Sequence, residues 1–467
     1  MRLLFAASEV VPFTKTGGLA DVVGALRRVL AARGHEVVVV SPWYAALGGD
    51  AAPLWIGDVP VPFDGGFEGV GVGALEADGV RFLFVGHPDY RRDRPYGYDD
   101  DVRRFARFVR AVPAVGDRVG FRPDLVHVHD WHAAYLPLVL KHGWHLPDGW
   151  PGLPSVLTIH NLQHQGVSDL EATIHWLRLP RDVRATGMQH FGTANALQAG
   201  LDLADRVTTV SPTYAREIAT VEHGHGLDGT IRHLNAKVQG ILNGIDTEAW
   251  DPRTDAALPQ RYGPEDAGAG KAAAAEAIRR ELHLEPGRPI LGSIGRLAEQ
   301  KGIDLLLDAV PELLAQGWSL ALLGAGDAEL EDRARRAAAD RPGRIGVRIG
   351  YDEKLGRRIY AASSAFAIPS RFEPCGLTQL IAMRYGAIPV GRATGGLVDT
   401  IAPGRTGFLF TDATPQALAV ATAQAMQALD DGSAAALRHE GMTSDPGWER
   451  SAEAYERVYR RALEGDT

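Results

Sequence analysis

Short, continuously apolar segments recur along the chain, separated by turn residues and by helix-like segments. The first series comprises residues 3–7, 37–40, 80–85, 125–128, 156–159 and 207–210. The second series comprises residues 290–294, 319–323, 346–349, 365–368 and 387–390. Strands without polar alternation are typical of parallel sheets that are covered on both faces. Their alternation with helices predicts an α/β fold with two doubly wound parallel sheets.

A segment rich in proline and glycine, residues 246–271, lies between the two series. Such a composition is typical of a linker with an inserted loop, so we predict a first domain at residues 1–245 and a second at 246–445. In the tail, residues 446–467, apolar side chains recur at helical spacing from Trp448 onward. We expect this helix to cross back and pack on the first domain; docking on its own domain is the alternative.

Composition narrows the class of protein. A chain of 467 residues is long enough for roughly two to four domains. The formal net charge of −9 argues against nucleic acid and anionic membranes as partners and permits a neutral polysaccharide. The single cysteine, Cys375, fits a reducing compartment, and the N-terminal apolar run is interpreted as a strand rather than a signal peptide. No segment approaches the ~20 apolar residues of a membrane span, so we predict a cytoplasmic enzyme.

One six-residue pattern, T-G-G-L-x-D, occurs twice, at residues 16–21 and 394–399. Each copy stands between a predicted strand and a predicted helix. Glycine pairs let the backbone approach a ligand closely, and the N–H groups at the start of the helix then bind anions or hydroxyls. The repeat predicts two similar domains that face each other across a cleft; an ordinary strand-to-helix turn is the alternative for either copy.

Two motifs of the second half carry charge after a predicted strand. Arg296 and Lys301 stand five positions apart, and together they suit a diphosphate leaving group. Glu373 precedes Pro374, which disfavours helix at Glu373 and holds this carboxylate in a loop suited to sugar hydroxyls. The alternatives are a solvated basic turn for the first motif and a helix-capping carboxylate for the second.

Histidines end two predicted strands of the first half. His160 follows residues 156–159, and the segment that contains His129 and Asp130 follows residues 125–128. Ligands bind at the carboxyl ends of strands in open α/β sheets, so these side chains are expected beside one site. A zinc site is the rival interpretation, but the histidines lack an evident second cluster, and no metal is predicted.

Several of these segments, in the expected order, resemble the bacterial glycogen synthase and plant starch synthase family. The matching segments are residues 15–22, 129–132, 209–215, 243–246 and 370–377. The resemblance implies the GT-B fold, which has two Rossmann-like domains facing a cleft. It implies transfer of glucose from ADP-glucose to the non-reducing end of an α-1,4-glucan such as glycogen, with retention of configuration. It implies no metal and no cofactor.

The resemblance also implies roles for individual residues. Catalytic roles fall to Glu373 at the transferred glucose, to Arg296 and Lys301 at the departing ADP, and to His160 against the glucose. The implied donor-binding residues are Lys15, Gly17, Gly18, Asn243, Tyr351, Cys375, Gly376, Leu377 and Thr378. The implied acceptor-side residues are Glu9, Tyr96 and Asp130.

The mechanism that we expect is a direct attack of the acceptor on the same face from which the phosphate departs. A retaining hydrolase has two carboxylates that flank the scissile bond. The second half offers one strong candidate, Glu373, and no nucleophile is evident opposite it. Stabilisation of the charges on the leaving group and on the sugar is then expected to make the main contribution to lowering the activation barrier.

The chain departs from the family at several positions of the first half. Gln163 and His164 replace the usual Ala-Tyr, Asp101 stands where asparagine is common, Gln198 replaces a frequent lysine, and His225 replaces methionine. These positions concern glucan recognition more than donor chemistry.

Three alternatives stay open: an enzyme of the same fold that uses UDP-glucose, a mature plastid starch synthase, and a silent glucan-binding protein. Two domains joined by a linker are also expected to close on the donor. The residues predict no oligomeric state.

Overall fold

The computed structural model describes residues 1–45, 52–185 and 187–465. The chain divides into two compact units. Unit 1 comprises Met1–Asn243 together with the tail from Trp448, and unit 2 comprises Gly244–Gly447. The sequence predicts domain boundaries at residues 245 and 446, and the units divide after Asn243 and after Gly447. Residues 466 and 467 of the predicted tail lie outside the described residues.

Unit 1 contains a nine-stranded sheet and a small three-stranded sheet within the described residues. Its strands are β1 (Arg2–Ala6), β2 (Glu36–Pro42), β3 (Leu54–Phe63), β4 (Gly66–Ala77), β5 (Val80–Gly86), β6 (Leu125–His129), β7 (Ser155–Ile159), β8 (Val167–Ser168), β9 (Gln189–His190), β10 (Thr193–Asn195), β11 (Arg206–Thr209) and β12 (Val238–Gly240). The large sheet has the order β12-β11-β7-β6-β1-β2-β5-β4-β3, and the small one has the order β8-β10-β9. Strands β12 to β5 of the large sheet pair in parallel.

The helices of unit 1 follow its strands in a doubly wound pattern. They are α1 (Gly18–Ala32), α2 (Asp101–Arg118), α3 (Asp130–Ala133), α4 (Leu136–His142), α5 (Leu170–Leu177), α6 (Ala196–Leu203), α7 (Pro212–Glu217) and α8 (Asp228–His233), with short 3-10 helices at Pro88–Tyr90, Arg181–Ala185 and Asn235–Lys237. The order reverses at β1, which lies between β6 and β2. Such a switch point opens a crevice at the carboxyl ends of the strands.

Unit 2 repeats this architecture with a six-stranded sheet in which every neighbouring pair is parallel. Its strands are β13 (Ile290–Ile294), β14 (Ser319–Gly324), β15 (Ile345–Ile349), β16 (Ala365–Ile368), β17 (Ile388–Arg392) and β18 (Phe408–Phe410). Their order is β15-β14-β13-β16-β17-β18, so the switch point lies between β13 and β16.

The helices of unit 2 pack on both faces of this sheet. They are α9 (Ala267–Leu282), α10 (Ile303–Asp308), α11 (Val310–Ala315), α12 (Ala328–Asp340), α13 (Glu353–Ala362), α14 (Thr378–Arg384), α15 (Gly395–Thr400), α16 (Pro415–Asp430) and α17 (Ala434–Thr443), with a 3-10 helix at Glu299–Lys301. Two apolar clusters fill the space between sheet and helices. Helix α9 begins in the segment that the sequence assigns to the linker, and its buried Lys271 donates hydrogen bonds to the carbonyls of Ala361 and Tyr385.

The tail forms α18 (Glu449–Glu464), which packs within unit 1. Its buried residues Trp448, Ala452, Tyr455 and Tyr459 belong to the same apolar cluster as β1 and α1. The Tyr459 hydroxyl lies 2.9 Å from Nδ1 of His127, a residue of β6. Three charged or ionisable side chains, Arg33, His35 and Glu456, then meet at the polar edge of this contact.

The predicted α/β class with two doubly wound sheets is confirmed, with one correction in unit 1. Strands β3 and β4 form an antiparallel hairpin, and β4 also pairs antiparallel with β5, so the large sheet is mixed. The hairpin was not predicted, because its glycines and prolines interrupt the apolar pattern. Among the helices of the described residues, none combines the length and the apolarity needed to cross a lipid bilayer.

Candidate active site

The carboxyl ends of β1, β6 and β7 are neighbours in unit 1 and carry several of the predicted residues. Strand β1 leads to Glu9, β6 to Asp130, and β7 to His160. All three residues stand at the switch point of the sheet, where ligands bind in open α/β folds. The structure therefore brings these three predicted residues to one edge.

Glu9 is buried and holds the loop that precedes α1. Its carboxylate accepts hydrogen bonds from the backbone N–H of Thr16 at 2.5 Å and from the Thr16 hydroxyl at 2.8 Å. Burial raises the pKa of Glu9, and the hydrogen bonds from Thr16 act in the opposite direction. Lys15 lies in the same loop, and its ammonium is 2.8 Å from Asp21 in the first turn of α1. Thr16 was not predicted as a functional residue; only its place inside the repeated motif could have indicated it.

The glycine pair of this loop borders open space. A Cβ built on Gly18 would meet no heavy atom within 4 Å, and one on Gly17 would approach only a Glu9 oxygen at 3.9 Å. Helix α1 begins at Gly18, and the N–H groups of its first turn have no acceptor within the helix. This arrangement suits an anion or a hydroxyl group of a ligand.

Asp130 fixes the backbone at the end of β7. Its Oδ1 atom accepts hydrogen bonds from the N–H of His160 at 2.7 Å and from the N–H of Asn161 at 3.4 Å. Burial raises the pKa of Asp130 to about 7. Its φ angle of 55° is left-handed, which is uncommon for a non-glycine residue and frequent at functional sites.

His160 belongs to a row of buried imidazoles. Its Nε2 atom lies 3.1 Å from Nδ1 of His129, and the His129 ring lies 4.1 Å, centroid to centroid, from that of His127. Burial lowers the pKa of His160 to about 3 and that of His127 also to about 3. His160 is therefore neutral at physiological pH, and it is able to contribute hydrogen bonding and contact rather than charge. The His127 side chain was not predicted, because its partner Tyr459 is 332 residues away in sequence.

Tyr96 reaches the same edge from the segment that precedes α2. Its hydroxyl contacts the Thr16 hydroxyl, and its ring lies 5.0 Å from that of His132. Burial and the nearby Glu9 carboxylate raise the pKa of the Tyr96 phenol, so the phenol stays protonated. Among the predicted acceptor-side residues, Tyr96 and Glu9 thus meet through Thr16.

Asn243 ends unit 1 shortly after β12. It is only 7% exposed, and among the described residues its Oδ1 atom has no hydrogen-bond partner. A buried amide oxygen without a partner is costly, which suits a group that a ligand completes.

In unit 2 the loops that follow β13 and β16 bring Lys301 and Glu373 together. The Lys301 ammonium lies 2.6 Å from Oε2 of Glu373, and the Ser370 hydroxyl donates a hydrogen bond to the same oxygen at 2.9 Å. Glu373 is 6% exposed, whereas 25% of the Lys301 side chain is exposed. The switch point of this sheet therefore carries a buried carboxylate with a solvent-facing cation beside it.

Arg296 follows β13 and is held by Gln300. The guanidinium donates a hydrogen bond to Oε1 of Gln300 at 2.7 Å, and the amide of Gln300 donates to the Phe372 carbonyl at 3.4 Å. The predicted cations Arg296 and Lys301 thus both connect to the loop that contains Glu373.

The second T-G-G-L-x-D copy differs from the first in what surrounds its glycines. A Cβ on Gly395 would lie 2.0 Å from the Glu373 carbonyl oxygen, and one on Gly396 would lie 2.1 Å from the Cys375 carbonyl oxygen. The N–H of Gly396 also donates a hydrogen bond to the Glu373 carbonyl at 3.0 Å. These glycines allow close packing against the Glu373 loop. Tertiary contact, not ligand approach, explains this copy.

The rest of the predicted donor-binding loop is well fixed. Cys375 is buried, Gly376 has a φ angle of 73°, Leu377 packs against the apolar core, and α14 begins at Thr378. The buried Gln379 amide donates hydrogen bonds to the carbonyls of Cys375 at 3.0 Å and Gly376 at 2.9 Å. Gln379 was not predicted; its position as the second residue of α14 carries no distinctive sequence signal.

Tyr351 stands apart from these contacts. It follows β15 at the edge of the unit 2 sheet and is 79% exposed, with its hydroxyl 3.4 Å from Glu353. An exposed aromatic ring at this end of the sheet is available to stack on a planar base. Within residues 1–45, 52–185 and 187–465, no group of three or more His, Cys, Asp or Glu side chains is placed to hold a metal ion.

Comparison with protein families matches both units. A model described as "Starch synthase catalytic domain" matches residues 2–233, and one described as "Glycosyl transferases group 1" matches residues 288–428. The first range contains Glu9, Tyr96, Asp130 and His160, and the second contains Lys301 and Glu373; Asn243 lies between the two ranges.

Individual relatives match over the full chain. A protein named glycogen synthase from Anaeromyxobacter sp. (strain Fw109-5) is 46% identical, covering 98% of this chain and 99% of the relative. A protein of the same name from Deinococcus radiodurans is 44% identical, covering 98% of this chain and all of the relative. The solved catalytic domain of starch synthase IV from Arabidopsis thaliana, bound to ADP and acarbose, has a TM-score of 0.92 at 33% identity and covers 99% of both chains.

Proposed function

The chain belongs to the family of bacterial glycogen synthases and plant starch synthases, and we propose that it transfers glucose from ADP-glucose to the non-reducing end of an α-1,4-glucan. The transfer proceeds with retention of configuration. The product is a glycogen chain that is longer by one glucose unit.

The observation that carries this proposal is the contact between Lys301 and Glu373 at the switch point of unit 2. A glycosyl transfer separates charge: the diphosphate leaves with negative charge while positive charge develops at the anomeric carbon. Lys301 and Arg296 stabilise the first, and the Glu373 carboxylate stabilises the second. A cation and a carboxylate held side by side therefore suit the negative charge of the leaving diphosphate and the positive charge at the anomeric carbon.

Unit 1 supplies the groups that bind the rest of the donor. The open space beside Gly17 and Gly18, with the N-terminus of α1 behind it, accepts phosphate oxygens or sugar hydroxyls. Lys15 adds a positive charge to this loop, and Asn243 offers its free amide oxygen to a sugar hydroxyl. Among the residues of unit 2, the exposed Tyr351 is the proposed contact for the adenine, and residues 375–378 are proposed to bind the donor.

The chemistry at the glucose follows from a neutral His160. Its ring lies against the sugar, and its backbone carbonyl lies near the reacting carbon. Asp130 supports this placement because its carboxylate accepts the His160 N–H. The acceptor hydroxyl attacks the face from which the phosphate departs, and the phosphate takes its proton. No covalent intermediate with the protein is required.

The acceptor contacts unit 1 through Tyr96, with Glu9 and Asp130 as supports. Glu9 holds Thr16, which contacts the Tyr96 hydroxyl, so its effect on the acceptor is transmitted through this loop. We also propose a cytoplasmic location, which the single cysteine and the bacterial relatives support.

The test measures labelled glucose incorporated into glycogen from ADP-glucose and, in parallel, from UDP-glucose. Wild type, Glu373→Ala and a control variant at an exposed carboxylate of α11, Glu312→Ala, are compared. We expect transfer from ADP-glucose that falls by about 10²- to 10³-fold in Glu373→Ala and is unchanged in Glu312→Ala.

Other outcomes separate the alternatives. Transfer from UDP-glucose alone would keep the mechanism and replace the donor. Glycogen binding by a wild-type protein that transfers glucose from neither donor would identify a silent glucan-binding protein of the same fold. Full activity of Glu373→Ala would remove the proposed site.

A further inference from the structure

The segment between β5 and α2, which carries Tyr96, is held by buried arginines of α2: Arg107 pairs with the Asp89 carboxylate, and Arg104 binds the backbone on the N-terminal side of Tyr96. Arg104 of α2 is fully buried. Its guanidinium donates hydrogen bonds to the carbonyls of Asp89 at 2.9 Å and of Pro95 at 2.9 Å, and its Nε donates to Oδ1 of Asp101 at 3.1 Å. One side chain thus contacts two points of the segment and the first residue of the helix that follows it.

Asp101 continues this connection on the other side of Tyr96. Its second oxygen, Oδ2, accepts hydrogen bonds from the N–H of Gly97 at 2.6 Å and from the N–H of Tyr98 at 3.1 Å. The φ angle of Gly97 is 102°, a conformation that only glycine adopts readily. The carbonyl before Tyr96 and the N–H after it are therefore both bound by the same Arg104–Asp101 pair.

The pair is suited to hold a fixed geometry. A buried guanidinium requires acceptors for its N–H groups, because a buried charge without partners is strongly unfavourable. Arg104 satisfies this requirement only if Pro95, Asp89 and Asp101 keep their positions. The segment cannot move without breaking charge-assisted hydrogen bonds, which are the strong ones.

The result of this arrangement is the placement of the Tyr96 ring. Its hydroxyl contacts Thr16, and its face lies 5.0 Å from the His132 ring. We propose that Arg104 and Asp101 are positioning residues that set acceptor recognition through Tyr96. The inference rests on the proposed function, in which Tyr96 contacts the glucan.

The first test compares kinetic constants for Asp101→Ala with those of wild type. A displaced Tyr96 is expected to raise the KM for a maltooligosaccharide acceptor on the order of 10- to 100-fold, with the KM for ADP-glucose unchanged. Asp101→Asn keeps an oxygen that can accept a hydrogen bond and is expected to recover most of the acceptor affinity. Arg110→Gln is the matched control, because Arg110 is equally buried on α2 but donates to the carbonyls of Pro62 and Trp144.

A double-mutant cycle distinguishes positioning from general destabilisation. If Asp101 acts through Tyr96, Asp101→Ala adds little to the acceptor KM in a Tyr96→Ala background. Additive effects of the two substitutions would overturn the proposal. So would an equal rise in acceptor KM for Arg110→Gln, because that rise would follow from lost stability.

A structural measurement keeps the proposal testable if the proposed function fails. Arg91 and Arg92 are trypsin sites within the segment. Under native conditions Asp101→Ala is expected to be cleaved there faster than wild type and faster than Arg110→Gln. If wild type transfers no glucose but Asp101→Ala is still cleaved faster, only the proposed function is wrong. If all three proteins are cleaved at the same rate, the positioning role is wrong.

Discussion

The Lys301 ammonium lies 2.6 Å from the Glu373 carboxylate, and both follow central strands of the unit 2 sheet. Their proximity means that the cation proposed for the leaving group and the carboxylate proposed for the sugar are one electrostatic unit. Removal of Lys301 would leave the buried Glu373 carboxylate with the Ser370 hydroxyl but without the neighbouring cation, which is unfavourable for a buried charge.

The first prediction concerns that coupling. Lys301→Met and Glu373→Gln are each expected to lower kcat/KM for ADP-glucose by about 10²- to 10³-fold. The double variant is expected to be little worse than the single variants, because residues that act as a unit are not additive. Steady-state kinetics of the four proteins test this, with Arg333→Met, which removes an ion pair to Asp308 elsewhere in unit 2, as the control. A double variant whose losses multiply would contradict the coupling.

The second prediction separates the two glycine pairs. Gly396→Ala places a methyl group 2.1 Å from the Cys375 carbonyl oxygen, so we expect a loss of about 1–3 kcal/mol in the free energy of unfolding, or more. Gly18→Ala has no heavy atom within 4 Å and is expected to leave stability within about 0.5 kcal/mol of wild type or to increase it. Gly18→Ala should instead raise the KM for the donor. Denaturant unfolding and donor kinetics on both variants measure the contrast, and a destabilised but fully active Gly18→Ala would refute it.

The sequence predicts the framework of both sheets well, for a physical reason. Strands buried on both faces are mainly apolar: β16 contains no polar residue, and β13 contains only Ser293. Their bounds, Ile290–Ile294 and Ala365–Ile368, agree with the predicted segments. Charged residues directly after such strands must then stand at the carboxyl edge. This logic places Lys301 and Glu373 after strands of the second half, whereas the pairing of β13 with β16, which brings the two residues together, was not predicted.

Features that depend on contacts between distant residues could not be predicted from the sequence. The same T-G-G-L-x-D pattern borders empty space at Gly18 and a backbone carbonyl at Gly396, and no local property distinguishes the two. The contact between His127 and Tyr459 joins residues that are 332 positions apart in sequence. Asp101 was noted only as a departure from the family, and its bond to Arg104 explains why a carboxylate is acceptable there.

The third prediction follows from the raised pKa of Asp130. Burial raises it from an ordinary value of 3.8 to about 7, so the folded state binds a proton that the unfolded state releases. The free energy of unfolding should therefore fall as pH rises from about 4 to 7, and the cost of the buried charge is fully present above pH 7. Asp130→Asn removes this cost while its amide oxygen still accepts the His160 N–H.

At pH 8 we therefore expect Asp130→Asn to be more stable than wild type, on the order of 1–3 kcal/mol, and at pH 4 nearly equal to it. Its transfer activity should nevertheless fall, since a destabilising charge that persists at a site is typical of function. Denaturant unfolding at both pH values tests the stability. If the stability of Asp130→Asn relative to wild type is lower at pH 8 than at pH 4, the buried Asp130 charge is not the cause of the pH dependence.

The last prediction concerns the attachment of the tail helix. Hydrogen bonds from Arg33, together with one from His35, lower the pKa of Glu456 from an ordinary 4.5 to about 2. A carboxyl group with a lowered pKa stabilises the folded state above its unfolded pKa, and the contribution is lost as pH falls through the folded value. At pH 7 we expect Glu456→Gln to lose about 1–2 kcal/mol, less than the full shift implies because solvent reaches the Arg33 side chain.

The difference between Glu456→Gln and wild type should shrink between about pH 4.5 and pH 2, and high salt should reduce it only partly, because Glu456 is mostly buried. Thermal unfolding across this pH range measures the effect. Glu453→Gln is the matched control, since Glu453 is exposed on the same helix. If Glu456→Gln and Glu453→Gln behave alike at pH 7, the ion pair with Arg33 does not hold the tail on unit 1, and the apolar contacts of Trp448, Tyr455 and Tyr459 suffice.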